Sequence, residues 1–253
     1  MALGVARAGG VLRLTLARPE RQNRLDGALV AAMRSALAQA AGDASVRVVV
    51  LDALGPSWCA GADLDALAEG AASRREVVFA YADLLADLAE CAVPVVAEVA
   101  GAVRGGGVGL LCAADLVVMG DAATVALPEA RVGLWPMMVG ALLPRVVSPR
   151  VAMQLALTGE VLPARACLHH GLATLVGDPL ETVTRGLVDG VLRAAPGATR
   201  LGRAAWRQHA GGPDLRGQLH ALGDALLTMA DTGEAAEGLA AFRERRPPGW
   251  APG

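Results

Sequence analysis

Two short runs of β-branched residues constrain the fold of this chain most strongly. Arg47–Asp52 (RVVVLD) and Val93–Val99 (VPVVAEV) have the continuous apolar character of strands that are buried on both faces. A helical pattern rich in Ala, Leu and Met precedes the first run, from about Asp26 to Ala41, and a longer one separates the two runs, from about Leu64 to Cys91. Strands that alternate with helices in this way predict an α/β domain with largely parallel strands.

The rest of the chain extends this pattern and then departs from it. Further elements are predicted in chain order: strands at Val11–Ala17, Leu116–Met119 and Leu172–Val176, and a helix-turn-helix at Ser148–His170. After Pro179 the pattern is almost entirely helical. We therefore expect an α/β core over residues 1–190 and a helical C-terminal region over residues 191–253.

The basic residues exclude several kinds of chemistry. All 23 of them are arginine, and the sequence contains no lysine. A Schiff-base enzyme, a pyridoxal phosphate enzyme and a phosphate-binding P-loop each need a lysine amine, and arginine cannot replace it because it does not deprotonate in proteins. The sequence therefore excludes all three classes.

Charge and cysteine spacing exclude further classes. A formal net charge of -2 argues against a nucleic-acid-binding surface. The longest stretch without charge, Val132–Pro144, is too short for a membrane helix, and the N-terminus has no long uncharged segment like that of a signal peptide. The four cysteines are widely spaced and indicate buried thiols rather than a metal site or disulfides. We expect a cytoplasmic protein that uses no metal.

A glycine-rich segment, Gly101–Gly109, is predicted as a loop between the Val93–Val99 strand and a short helix at Leu110–Ala114. A dinucleotide-binding fingerprint is one interpretation, but the Gly-x-Gly-x-x-Gly spacing fails from either possible start. A tight structural turn is the second. The third is that exposed backbone N–H groups at a helix start bind an anionic oxygen. This third interpretation predicts a second donor elsewhere, and another small-residue turn, Trp58–Leu64, also follows a buried strand.

An ordered set of sequence segments resembles the enoyl-CoA hydratase/isomerase (crotonase) superfamily. The segments span nearly the whole chain: RPERQNRLD (18–26), WCAGADL (58–64), VPVVAEVAGAVRGGGVGL (93–110), LPEARVGLWP (127–136), LALTGEVLPARACLHHGLATLV (155–176) and EGLAAFRERRPPGW (237–250). The resemblance implies a spiral of repeated β-β-α turns and a C-terminal helical region used in trimer packing. It also implies a homotrimer or a hexamer built as a dimer of trimers, and an acyl-CoA thioester as substrate, with coenzyme A as part of that substrate and no separate cofactor.

The resemblance also implies the positions of the site. The two backbone amides that hold the thioester oxygen carry over to Ala62 and Gly106. Coenzyme A is expected to lie along the segment from Ala62 through Asp63, Leu64 and Asp65, with Arg24 near its phosphates. Further substrate contacts are expected at Ala60, Gly61, Gly105, Gly109, Trp135 and Met137. Met137 and Met138 suggest an adaptable apolar acyl pocket, although methionine as core filler fits equally well.

Glu129 matches the second of the two glutamates that the superfamily's hydratases use. An acid just after Pro128 can also be an ordinary helix-start residue. The surrounding match favours a catalytic acid/base, since a carboxylate in an apolar pocket can move a proton to and from carbon.

The first glutamate of the hydratases is absent, because Gly109 stands at its position. The resemblance implies that syn hydration uses two carboxylates to hold and activate water, whereas one suffices for a 1,3-proton shift. The sequence therefore favours double-bond isomerisation over hydration of an enoyl-CoA. The alternatives are other superfamily chemistry, such as acyl-CoA decarboxylation or hydrolysis, and a CoA-binding or assembly protein that has lost catalysis.

Overall fold

The fold is built from a repeated unit of two strands and a helix. A computed structural model describes residues 2–63, 71–194, 196–197, 199–200, 202–204 and 215–246. In three successive units the first strand joins one sheet and the second strand joins another, so that the chain advances as a spiral. The units begin with the strand pairs β3 (Val48–Ala53) and β4 (Ser57–Cys59), β5 (Val95–Val99) and β6 (Ala102–Arg104), and β7 (Leu116–Met119) and β8 (Thr124–Ala126). This arrangement confirms the predicted crotonase-like α/β fold.

The larger sheet has six strands in the order β1-β2-β3-β5-β7-β10. All neighbours pair in parallel except β1 (Leu3–Ala8) and β2 (Val11–Leu16), which form an antiparallel hairpin. β3 is buried on both faces, as its sequence predicts, because Val48 and Val50 pack against a second apolar cluster while Val49 and Leu51 join the main core. The strand β1 was not predicted, since its outward side chains are exposed and give no apolar run.

The smaller sheet has four short strands in the order β4-β6-β8-β9, with β9 at Leu162–Pro163. The prediction of a loop over Gly101–Gly109 is wrong in part. Residues 102–104 form β6, Gly105 makes the turn with a positive φ of 53°, and the helix α3 begins at Gly106. Backbone pairing of β6 with β4 and β8, rather than any apolar side-chain pattern, makes this segment a strand.

The helices cover the two sheets. Asp26 caps the first of them, because its carboxylate accepts a hydrogen bond from the Leu29 N–H at 2.9 Å. The helices are α1 (Gly27–Gly42), α2 (Ala71–Ala89), α3 (Gly106–Ala113), α4 (Met137–Leu142), α5 (Pro149–Thr158), α6 (Ala164–His170), α7 (Leu180–Arg193), α8 (Leu215–Ala230) and α9 (Gly233–Glu244). The helix α1 and the helix-turn-helix of α5 and α6 are confirmed, while the strand predicted at Leu172–Val176 shortens to β10 (Leu175–Val176).

The C-terminal helices pack back on the α/β part of the same chain. The helix α8 contacts α2 and α4, and α9 contacts the 3-10 turn Glu129–Val132. Arg216 of α8 forms an ion pair with Asp83 of α2 at 2.6 Å. The division of the chain at residue 190 stays a prediction.

None of the helices among the residues that the structure describes is long and apolar enough to span a membrane. No group of three His, Cys, Asp or Glu side chains in that part of the chain could hold a metal ion.

Candidate active site

Two backbone turns approach each other closely at one end of the smaller sheet. A Cβ atom built on Gly61 would lie 2.9 Å from both the Arg104 carbonyl oxygen and the Gly106 nitrogen, and one built on Gly106 would lie 3.5 Å from the Ala62 nitrogen. Gly61 also has a positive φ of 86°. Glycine is therefore required at position 61, where both the φ and the approach of the second turn exclude a side chain.

The segment before α1 orients the amide of Ala62. Leu25 pairs with Ala62 as a parallel bridge, in which the Leu25 N–H donates to the Gly61 carbonyl at 2.9 Å and the Asp63 N–H donates to the Leu25 carbonyl at 3.2 Å. Successive N–H groups of an extended segment point to opposite sides. Because the Asp63 N–H points towards Leu25, the Ala62 N–H points away from Leu25, and the Ala62 nitrogen lies close to the second turn.

The amide of Gly106 is available for a different reason. Gly106 is the first residue of α3, and the first N–H groups of a helix have no acceptor within the helix. The preceding N–H, of Gly105, donates to the Ala126 carbonyl at 3.1 Å and so ties the turn to β8. No acceptor for the Ala62 or Gly106 N–H is found among the described residues. The two donors can therefore bind one oxygen of a ligand.

Glu129 lies beside these turns, at the start of a 3-10 turn that follows Pro128. Its Oε1 would be 3.3 Å from a Cβ atom on Gly105. Its Oε2 is shielded from solvent and has no hydrogen-bond partner within the described residues. Burial raises the pKa of Glu129 from 4.5 to about 7, against a smaller lowering by a backbone hydrogen bond. The group can therefore both accept and donate a proton near neutral pH.

A cavity of about 390 Å³ connects these groups. It brings together most of the predicted site residues: Arg24, Ala60, Gly61, Ala62, Gly105, Gly106, Glu129, Trp135 and Met137. Apolar side chains that the sequence analysis did not assign to the site extend its wall, and two of them, Leu226 and Phe242, come from α8 and α9. Only the packing of the C-terminal helices places these two residues here, although Phe242 lies in the segment 237–250 that resembles the superfamily.

Two predicted contacts lie outside the cavity lining found in the described part of the chain. Asp63 is buried, and its carboxylate forms an ion pair with the Arg21 guanidinium at 2.8 Å. Gly109 is buried in α3, against Tyr81 and Leu85 of α2. Leu64 and Asp65 lie outside the described residues.

Tyr81 was not predicted as a site residue. It lines the cavity, and its hydroxyl donates a hydrogen bond to the Gly106 carbonyl oxygen at 2.5 Å. It is the only tyrosine of the chain. The absence of a side chain at Gly109 was the available signal that another residue fills this space, but the sequence does not reveal that α2 supplies it.

The fold and the paired amides define a protein of the crotonase class, and comparison with known proteins gives the family. The sequence pattern of the family described as "Enoyl-CoA hydratase/isomerase" matches residues 6–252. The chain belongs to the enoyl-CoA hydratase/isomerase family.

Individual relatives agree with this assignment over nearly their whole length. A carnitinyl-CoA dehydratase of Salmonella arizonae is 31% identical, with 98% of this chain and 97% of the relative covered. The mitochondrial enoyl-CoA hydratase domain-containing protein 3 of Danio rerio is 29% identical, with coverages of 96% and 85%. The crystal structure of an enoyl-CoA hydratase from Mycobacterium avium superposes with a TM-score of 0.87 at 33% identity, covering 99% of each chain.

Proposed function

We propose that the protein is an acyl-CoA enzyme that moves the double bond of an enoyl-CoA by a 1,3-proton shift. The observation that carries this proposal is the shielded carboxylate of Glu129 beside two converging amides, with no other carboxylate lining the cavity among the described residues. Its raised pKa suits a group that must take a proton and return it. Gly109, where the hydratases have their first glutamate, supplies no second carboxylate.

The proposed steps use three groups of the chain. The Glu129 carboxylate removes a proton from C2 of a 3-enoyl-CoA, and the electron pair moves onto the thioester oxygen. The N–H groups of Ala62 and Gly106 bind that oxygen while it is negative. The protonated Glu129 then gives its proton to C4, so that the double bond ends between C2 and C3. Removing one such amide donor typically slows a reaction by about 10²–10³-fold.

The lining of the cavity is suited to bind an apolar acyl group. Beyond the two turns the wall consists largely of apolar side chains, including those of Trp135, Met137, Met138, Val139 and Leu226. Burying each methylene of an acyl chain against such a wall contributes about 0.8 kcal/mol. Arg24, which also lines the cavity, is the residue that we assign to the CoA phosphates.

A panel of 2-enoyl and 3-enoyl CoA esters, assayed for both hydration and double-bond migration, tests the proposal. We expect migration to exceed hydration in the wild type, and Glu129→Gln to lower it by at least about 10²-fold, the lower range for a positioned acid/base. Glu98→Gln, which changes a glutamate of β5 in the larger sheet, is the matched control and keeps wild-type turnover.

Two results would contradict this proposal. If Glu129→Gln turns over the panel as fast as the wild type, the acid/base assignment is wrong. If the wild type binds the esters and converts none of them, the alternative of a non-catalytic CoA-binding protein replaces the enzyme.

Assembly into trimers, or hexamers built from two trimers, is part of the same proposal. Met153 and Leu157 lie one helical turn apart on α5 and are 52% and 61% exposed, and Val161 just beyond the helix is 54% exposed. An apolar surface of this kind is typical of a subunit contact. Light scattering during size-exclusion chromatography should give a molar mass that is a multiple of three chains. A monomer would contradict the proposed assembly.

A further inference from the structure

Tyr81 occupies a central place in the site that the proposed mechanism does not use. It lies on α2, is 6% exposed, and lines the cavity together with Ala62, Gly106 and Glu129. Its hydroxyl donates a hydrogen bond to the Gly106 carbonyl oxygen at 2.5 Å. Because this carbonyl belongs to the residue whose N–H is an oxyanion donor, the phenol acts directly on the first turn of α3.

The end of the tyrosine ring also fills the space above Gly109. A Cβ atom built on Gly109 would overlap the Tyr81 hydroxyl oxygen and would lie 3.2 Å from both terminal methyl groups of Leu85. A Cβ atom on Gly106 would lie 3.2 Å from the same hydroxyl oxygen. A side chain at position 109 and a tyrosine at position 81 therefore exclude each other.

We infer that Tyr81 is a positioning residue that fixes Gly106 as an oxyanion donor and closes position 109 to a second carboxylate. The inference rests on the proposed function and deepens it, because it assigns the reaction to proton transfer rather than to water addition. The hydrogen bond to the Gly106 carbonyl carries the first role and the space that the end of the Tyr81 side chain occupies carries the second, so different variants test the two roles.

The hydroxyl suits this role because its surroundings keep it protonated. Burial, with smaller contributions from Cys59, Glu129 and Cys112, raises the pKa of Tyr81 well above 10.0. A phenol that stays neutral is always able to donate its proton to the Gly106 carbonyl. Gly106 is the first residue of α3, so this hydrogen bond adds a restraint from α2 to the helical turn whose first N–H is the proposed donor.

The substitution Tyr81→Phe tests the hydroxyl while it keeps the ring. We expect kcat for double-bond migration to fall about threefold to tenfold, the value of one neutral hydrogen bond, with KM nearly unchanged. Leu85→Val is the matched control, because it loosens the packing around the same space without touching the hydrogen bond. A Tyr81→Phe enzyme with wild-type kcat, or an equal loss of kcat in Leu85→Val, overturns the positioning role.

A binding measurement tests the same role without turnover. An acyl-CoA thioester has the carbonyl oxygen that the two amides bind, whereas a CoA thioether with the same chain lacks it. We expect the wild type to prefer the thioester and Tyr81→Phe to lose part of that preference. An unchanged ratio of Kd values overturns the inference. If the wild type converts no ester, the proposed function fails, but this ratio still decides the role of Tyr81.

The space that the Tyr81 side chain occupies is tested by a pair of variants. Gly109→Glu alone is expected to unfold or to lose activity, because its side chain meets Tyr81. The double variant Tyr81→Ala/Gly109→Glu has room for the carboxylate, and its ratio of hydration to migration should exceed that of Tyr81→Ala. Circular dichroism melting verifies folding. Equal ratios in these two, or wild-type behaviour of Gly109→Glu, would show that Tyr81 does not determine the reaction.

Discussion

The two sheets of this protein serve different purposes, although the same repeated unit builds both. The six-stranded sheet has strands of up to six residues whose side chains form much of the core, such as Leu14, Leu51 and Val96. The four-stranded sheet has strands of two or three residues, and the turns at its edge carry both proposed amide donors. Side-chain burial stabilises the first sheet, whereas close backbone approach gives the second its chemistry.

This difference predicts that substitutions in the two sheets change different quantities. A change in the larger sheet should lower the free energy of unfolding and leave the activity of each folded molecule unchanged. A change in the turns of the smaller sheet should lower kcat even where the fold survives.

Leu51→Ala, in the centre of β3, should have the largest effect on stability. The side chain is 1% exposed, and deleting a buried leucine typically costs about 2–5 kcal/mol of unfolding free energy. Urea denaturation measures this loss, and kcat of the remaining folded enzyme should equal that of the wild type. Leu54→Ala, just beyond the strand at a residue that is 53% exposed, is the control and should change stability by less than about 0.5 kcal/mol.

Gly61→Ala should have the largest effect on turnover. The new Cβ would press on the Arg104 carbonyl and the Gly106 nitrogen and separate the two amides, so kcat should fall by about 10²–10³-fold, as for a lost oxyanion donor. Gly9→Ala is a matched control, because Gly9 also has a positive φ, of 55°, but no atom lies within 4 Å of the added Cβ. Equal losses of kcat in both variants would assign the effect to backbone strain alone.

Asn23→Ala should have a smaller effect on stability, at a residue that connects a strand of the larger sheet to a strand of the smaller one. The side chain is fully buried, donates to the Leu54 and Ser57 carbonyls at 2.9 and 2.8 Å, and so holds the turn between β3 and β4. Leaving these acceptors unpaired should cost about 1–3 kcal/mol of stability in thermal or urea unfolding. Gln39→Ala on the exposed surface of α1 is the control. A wild-type melting curve for Asn23→Ala would show that the turn does not need this anchor.

The pH dependence of turnover should report the ionisation of Glu129. Glu129 must be ionised to remove the first proton, and its pKa is raised to about 7. Below that pH the ionised fraction, and with it kcat/KM, should fall about tenfold per pH unit, while above it kcat/KM should level off. Glu98→Gln, in the larger sheet, should keep this profile. A profile with its midpoint near 4.5, the ordinary value, would contradict the burial of Glu129 in the working enzyme.

The elements that could be predicted are those whose own side chains decide their structure. The burial of β3 on both faces follows from RVVVLD, and α1 follows from a stretch rich in Ala, Leu and Met. The strand β6 and the beginning of α3 at Gly106 could not be predicted, because glycine and small residues carry no periodic signal. The strand β1 could not be predicted, because only its pairing with β2 defines it.

The same distinction applies to the site. The resemblance of sequence segments was enough to propose Ala62, Gly106 and Glu129, and the structure places all three around one cavity. Tyr81 of α2 and Leu226 of α8, which complete the cavity, lie outside these segments, while Phe242 of α9 lies inside one of them without having been assigned to the site. Their contributions depend on how helices pack, which a one-dimensional pattern does not encode.

The sequence by itself determined the class of fold, the exclusion of lysine chemistry, and the presence of a single glutamate where hydratases have two. These depend on residue identity and local spacing, which are read directly. Only the tertiary structure decided that Tyr81 fills the space at Gly109 and that burial raises the pKa of Glu129. Both the steric exclusion of a side chain at Gly109 and the removal of Glu129 from water require atoms from distant segments to meet in one place.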